Sequence, residues 1–285
     1  MATVKYERPE ALLDVPFHYC PGCTHGITHR LIAECLDELL MTGQTIAVAS
    51  VGCSVMAYDY FACDVVQAPH GRAPAVATGI RRARPDRFVF TYQGDGDLAA
   101  IGTAEIIHAA TRGENITVFF INNAIYGMTG GQMAPTTLEG QVTQTTPWGR
   151  DPAVAGNPIK VCELLATLDG PAFIARVAVD HANQIRQVKA TIKKALQCQL
   201  ERRGFALVEL LSTCPTNWKM SPAEAMRWVQ EHMRQQYPVG VFVDHLSENR
   251  HIFQDRSAGD QPASGQPLPD AADLTAKAAV YTTKE

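Results

Sequence analysis

The chain has 285 residues, enough for one large or two small domains, and 46% are hydrophobic, ample for a sizeable core. A net charge of −4 gives no reason to expect nucleic acid or an anionic membrane as a partner. Charged residues make up only 19%, below the usual quarter, as happens when surface is buried against other subunits. No apolar run approaches a membrane span. The opening MATVKYERPEALLD lacks an apolar h-region. A cytoplasmic protein is therefore expected, whose eight cysteines are core residues, metal ligands or redox groups rather than disulfides.

Residues 1–17 form a polar lead-in. His18-Tyr19-Cys20-Pro21-Gly22-Cys23 follows, and its CxxC brings two thiolates within reach of one metal centre. A zinc knuckle, a thioredoxin-like redox pair and an iron–sulfur site all use that spacing. Ile27 to Leu40 has the periodicity of an amphipathic helix, with Cys35 on its apolar side. Gln44 to Ser50 is a strand, and Val51-Gly52-Cys53-Ser54 turns at its carboxyl end, a place for ligands rather than packing. Asp59 to Gln67 has no clear pattern, and Cys63 there has no partner by spacing and is structural. His70-Gly71-Arg72-Ala73-Pro74 opens a small-residue helix over Ala75 to Ala83.

The centre of the chain runs from Phe88 to Gln132. Phe88 to Gln93 is a buried strand broken by Gly94-Asp95-Gly96-Asp97. Leu98 to Thr111 is a helix stopped at Gly113, and Ile116 to Ile121 is a second strand closed by Asn122-Asn123. This is a βαβ unit with polar groups at the carboxyl ends of both strands, where open sheets place ligands. Gly94 and Gly96 remove side chains, so a bulky anion can approach the backbone. Asp95 and Asn123 supply hard oxygens of the kind magnesium shares with phosphate. The implied ligand is a Mg²⁺-bridged diphosphate.

Residues 133–158 are a long loop, of the kind that is functional or an interface. Ile159 to Thr167 is a helix, Pro171 to Val179 a strand, Asn183 to Arg202 a helix and Phe205 to Leu211 the last strand. Cys162 and Cys198 fall inside the helices. Cys214-Pro215 follows the last strand, and Ser221-Pro222 caps a helix reaching Gln236. The fold class is α/β: a doubly wound, mostly parallel sheet with helices on both faces. Residues 18–246 form the domain, and 247–285 a polar C-terminal arm lying on a partner.

GDG followed by NN resembles the thiamine-diphosphate motif, and NNAIYGMTGGQMAPTT resembles the β subunits of the 2-oxoacid:ferredoxin oxidoreductases. Those subunits carry CPGC near the N-terminus, GCS after the next strand and CP after the last one. This chain has all three, at Cys20/Cys23, Cys53 and Cys214, over a resemblance covering roughly residues 16–240. The resemblance implies a thiamine-diphosphate-binding fold and one [4Fe–4S] cluster on those cysteines. It implies Mg²⁺ on Asp95, Asn123 and the Ile125 carbonyl. The cofactor would be lined by Gly52, Ser54, His70, Gly94, Gly96, Asp97, Tyr126, Gly127, Met128 and Thr129, with His70 also a catalytic candidate.

The implied reaction takes a 2-oxoacid, coenzyme A and oxidised ferredoxin to acyl-CoA, CO₂ and reduced ferredoxin, with α, γ and δ partner subunits. The glutamate that activates the cofactor's aminopyrimidine would come from a partner, so this chain alone would be inactive. Some relatives carry lysines where this chain has Met56 and Gly130; a lysine could pair with the distal carboxylate of 2-oxoglutarate, so a branched-chain 2-oxoacid is favoured here. The competing classes are a non-oxidative thiamine-diphosphate decarboxylase or synthase with structural zinc, and a non-catalytic scaffold subunit.

Overall fold

Short runs of β-branched and aromatic residues, each stopped by glycine or a polar turn, become the strands. The computed structural model describes residues 7–246; residues 1–6 and the arm expected over 247–285 lie outside the described residues. The strands are β1 (Thr45–Ala49), β2 (Asp64–Gln67), β3 (Phe88–Gly94), β4 (Thr117–Asn122), β5 (Pro171–Ala178), β6 (Phe205–Leu211) and β7 (Gly240–Asp244). They form one sheet in the order β2-β1-β3-β4-β6-β5-β7. All pairs are parallel except β5 with β7. The central strands are buried on both faces, as a parallel sheet covered by helices requires.

The helices are α1 (His25–Glu38), α2 (Ala73–Ala83), α3 (Thr103–Thr111), α4 (Pro152–Ala155), α5 (Val161–Leu165), α6 (Ile185–Leu200), α7 (Pro215–Trp218), α8 (Pro222–Trp228) and α9 (Arg234–Gln236). On one face, Ile32 and Leu36 of α1 and Ile192 and Leu196 of α6 pack with Phe90 and Phe119. Ala11 and Leu12 of the lead-in join that core. On the other face, Ala77, Ile106 and Leu165 from α2, α3 and α5 pack with Val118, Phe120 and Ile174. Cys35, Cys162 and Cys198 are buried in helices, and Cys63 packs against the first core. The sheet is thus doubly wound. From β1 the chain passes to β2 on one side, while β3 lies on the other, so a crevice opens at their carboxyl ends. No helix among the described residues is long and apolar enough to cross a membrane.

Several elements differ from the sequence reading, among them the helix expected from Ser221-Pro222 to Gln236, whose middle, Val229–Met233, is a π-type turn between α8 and α9. The single helix expected over Leu98 to Thr111 is split: Asp97–Ile101 makes a π-type turn, and α3 starts only after Gly102. The cause is a backbone contact, since a Cβ on Gly102 would lie 2.7 Å from the Asp97 carbonyl and 2.8 Å from that of Gly71. Phe205 to Leu211 is not the last strand either. β7 adds antiparallel to β5, through five residues too few to carry a signal of their own; the open edge of β5 recruits them.

The 133–158 loop is tied from within by Arg150. Its buried guanidinium donates to the carbonyls of Pro135 (2.9 Å), Thr137 (2.6 Å), Gly156 (2.9 Å) and Asn157 (2.9 Å), among others. A charge this deep is tolerated because its donors are satisfied. The loop can therefore hold a defined side chain over the crevice.

Candidate active site

The turns after β1, β2, β3 and β4 enclose a cleft of about 350 Å³, within the range of small-molecule sites. Gly52, Ser54, His70, Gly94, Asp95, Gly96, Asp97, Asn123, Ile125, Tyr126, Gly127, Met128 and Thr129 all line it, joined by His25, Val51, Cys53, Ala100 and Ile101.

Asp95 lies at its floor, 3% exposed. One carboxylate oxygen accepts from the Gly96 amide (2.8 Å), the other from the Ile125 amide (3.2 Å) and the Thr136 hydroxyl (2.7 Å). Burial nevertheless pushes its pKa up to about 6. Nearby, Oδ1 of Asn123 is buried without a hydrogen-bond partner. A buried carboxylate reluctant to ionise and an orphaned amide oxygen are what a hard cation would satisfy, so the donors fit magnesium. Gly94 has open space where a Cβ would stand, leaving room for a ligand, but Gly96 serves another end. A Cβ there would lie 2.6 Å from the Tyr126 ring, so Gly96 admits Tyr126 rather than an anion.

Asp97 is a hub. Its carboxylate accepts from Ser50 Oγ (2.7 Å), the Gly71 amide (2.7 Å), Gln93 Nε2 (2.6 Å) and His70 Nδ1. With its oxygens engaged in this way, it positions His70 more than it offers a free ligand atom. The Asp97 oxygen accepts and His70 Nδ1 donates in that bond, which leaves Nε2 as the ring nitrogen not engaged by Asp97. His25 is held by Tyr92 (2.7 Å), and burial pushes its pKa down to about 3, so it stays neutral.

The loop cysteines gather beside this cleft. Thr213 Oγ1 donates to the Gly22 carbonyl (2.7 Å), and Thr24 and Ser212 share a hydrogen bond of 2.7 Å. These bonds dock the CPGC loop on the end of β6, where Cys214 begins α7. A Cβ on Gly127 would stand 3.3 Å from Cys53 Sγ, 3.6 Å from Cys214 Sγ and 3.6 Å from the Asn123 amide nitrogen. Burial and the neighbouring thiols push Cys23 up to about 12 and Cys53 up to about 11. Thiols so placed ionise when a metal centre takes them. No three His, Cys, Asp or Glu side chains among the described residues converge on a single-ion site.

A family model for the C-terminal TPP-binding domain of thiamine pyrophosphate enzymes matches residues 50–210. The ketoisovalerate oxidoreductase subunit VorA of Methanothermobacter thermautotrophicus is 50% identical over 252 residues, 88% of this chain and 53% of that protein. The 2-oxoglutarate synthase subunit KorB of Methanocaldococcus jannaschii is 38% identical over 235 residues, 80% of this chain and 82% of the relative. The chain belongs to the 2-oxoacid:ferredoxin oxidoreductase family. It spans about half the length of the VorA relatives it matches. A 2-oxoglutarate:ferredoxin oxidoreductase from Magnetococcus marinus, solved with 2-oxoglutarate, coenzyme A and succinyl-CoA bound, shares the fold. Its TM-score is 0.68 at 23% identity, covering 99% of this chain and 92% of that one.

In this oxidoreductase-family chain the structure also shows groups that sequence reading missed. His25 stands two residues after the CPGC segment, which was a usable signal. Ser50, Gln93 and Thr136 had none, because each reaches its carboxylate from a separate loop or strand. Met56, read as facing substrate, does not line the cleft. It packs against the core, and the Tyr58 hydroxyl donates to its sulfur at 3.3 Å.

Proposed function

We propose that this chain is the thiamine-diphosphate-binding subunit of a CoA-dependent 2-oxoacid:ferredoxin oxidoreductase, with a branched-chain 2-oxoacid favoured and 2-oxoglutarate next. One observation carries the reading: the Cys53 and Cys214 sulfurs and the Asn123 amide nitrogen all lie within 3.6 Å of where a Cβ on Gly127 would stand, so two of the thiols and a residue suited to the cation share one wall. A redox centre on those thiols would stand beside the cofactor whose electrons it takes. Thiamine diphosphate, when bound, supplies the electron sink that lets a 2-oxoacid lose CO₂, and an iron–sulfur cluster takes electrons singly.

The chain's own residues divide the remaining work. Asp95, Asn123 and the Ile125 carbonyl would hold Mg²⁺ and, through it, the diphosphate. Cys20, Cys23, Cys53 and Cys214 would hold a [4Fe–4S] cluster. Zinc is less suited, because four sulfurs on one ion stand only about 3.8 Å apart, and the thiols share a neighbourhood without converging. His70, fixed by Asp97, presents Nε2 as a base or proton relay at the cleft. The cleft's described lining includes no glutamate, which supports a partner subunit supplying that group. Trp148 (97% exposed) and Val154 (86%) on the 133–158 loop are apolar surface suited to such a partner.

Anaerobic purification should yield a brown protein with a broad band near roughly 400 nm, bleached by dithionite, and about four irons per chain. Zinc in a colourless protein would move the function to non-redox thiamine chemistry.

Substrate choice now rests on the lining rather than on Met56. Val51, Ala100, Ile101 and Met128 are apolar, and the described lining has no lysine or arginine to pair with a second carboxylate. In the assembled enzyme kcat/KM should favour 2-oxoisovalerate over 2-oxoglutarate by about tenfold or more. Preference for the dicarboxylate would sink the substrate assignment and leave the family reaction standing.

A further inference from the structure

Arg176 and Glu209 are both fully buried, on adjacent strands β5 and β6, in register with one another. The Arg176 Nε donates to Glu209 Oε2 at 2.8 Å. Its two other nitrogens donate to Glu163 (3.0 and 2.6 Å), and one also to the Pro238 carbonyl (3.1 Å). The guanidinium lies over the rings of Tyr237 (5.3 Å) and Phe242 (4.9 Å). Burying such a pair is expensive, and apolar residues of similar volume usually serve a core as well. Its connections point to a task beyond packing.

One arm runs through Glu209. Its second oxygen accepts from Asn122 Nδ2 at 2.7 Å, while Asn122 Oδ1 accepts from the Ala124 amide at 3.1 Å. Ala124 has φ +57, a conformation that residues with a Cβ rarely adopt, and the Asn122 amide is what closes that turn. The turn leaves Asn123 Oδ1 unpartnered and sets the Ile125 amide on Asp95. The other arm runs through Tyr237. Its hydroxyl donates to the Thr136 carbonyl at 2.6 Å, and the Thr136 hydroxyl donates to Asp95 at 2.7 Å. Thr137 ties the arms together by donating to the Ala124 carbonyl at 2.7 Å.

We propose that the Arg176–Glu209 pair is a buried positioning hub that sets the spacing of the Asp95 and Asn123 oxygens through Asn122 on one side and Tyr237–Thr136 on the other. This rests on the reading that Asp95 and Asn123 take magnesium and diphosphate. A planar guanidinium can hold two carboxylates, a carbonyl and two ring faces at once, which an apolar residue cannot. The hub reaches no substrate; it acts through the ligand loops, as outer-shell partners do at metal sites.

The test measures Mg²⁺ and thiamine diphosphate binding by calorimetry on the full-length protein as purified, stripped of both, well below its unfolding midpoint. Glu209→Gln should weaken binding about tenfold or more. Tyr237→Phe keeps the ring against Arg176 and deletes only the hydroxyl; it should weaken binding severalfold with an unchanged circular dichroism spectrum. Ile192→Val, in the opposite core, should lower the unfolding midpoint without moving either affinity. Asp95→Asn is run in parallel. If it abolishes binding while Glu209→Gln and Tyr237→Phe bind as the parent does, the hub is purely structural and the proposal is wrong. If Asp95→Asn itself binds normally, the reading of the cleft fails and the hub falls with it.

Discussion

Asp95→Asn should abolish magnesium-dependent diphosphate binding and, in the metal-free protein at neutral pH, make the fold more stable. Both follow from one fact: the carboxylate is buried, and no lysine or arginine among the described residues lines the cleft beside it. Its folded-state pKa is raised from 3.8 to about 6, chiefly by desolvation and despite the Thr136, Gly96 and Ile125 hydrogen bonds. A raised carboxylate pKa means that the folded state binds the proton more tightly than the unfolded one. The group's contribution is therefore most favourable below about pH 4 and is lost as pH rises through about 6. The loss at pH 7 is roughly 3 kcal/mol. Asparagine escapes it but loses the bond from the Ile125 amide, about 1 kcal/mol. The gain should thus be about 2 kcal/mol at pH 7.5 in chelator, fall to nothing between about pH 4 and 5, and turn into a small loss below that, where only the missing hydrogen bond counts. Urea unfolding of both proteins at the two pH values reads this directly. An asparagine variant that is less stable at pH 7.5 and still binds the cofactor would end the magnesium assignment.

Replacing Cys53 or Cys214 with serine should remove iron and acceptor reduction to background while leaving Mg²⁺ and thiamine diphosphate binding intact. The Asp95 carboxylate is bonded by Gly96, Ile125 and Thr136 and by neither cysteine, so the lesions separate. Asn217 Nδ2 donates to Cys214 at 3.3 Å and to the Gly127 carbonyl at 2.7 Å, which fixes that sulfur against the wall. Serine keeps the size, but its hydroxyl is a poor iron ligand beside thiolate. Cys35→Ala and Cys198→Ala are the controls, since both thiols are buried in helices and should keep full iron content. Iron retained in both serine variants, with acceptor reduction intact, would mean that these cysteines hold no cluster.

The sequence by itself determined the parallel core strands, the GDG and NN turns, and the identity of the residues around the cleft. Those signals are local: hydrophobic runs ended by turn residues, and motifs in which a few neighbours carry the chemistry. Every residue expected to line the cofactor does line the cleft. The tertiary structure decided what depends on distant partners. β7 exists because β5 has a free edge, and α3 starts late because Gly102 meets Gly71. Met56 turned to the core because Tyr58 and the packed residues around it took it there. Thr136 reaches Asp95, and Arg176 connects to the ligand loops through Glu209 and Tyr237, across intervals that no window of sequence spans. Buried polar groups must find partners wherever the fold brings them, so those pairings are set by three-dimensional proximity and leave no periodic trace in the chain.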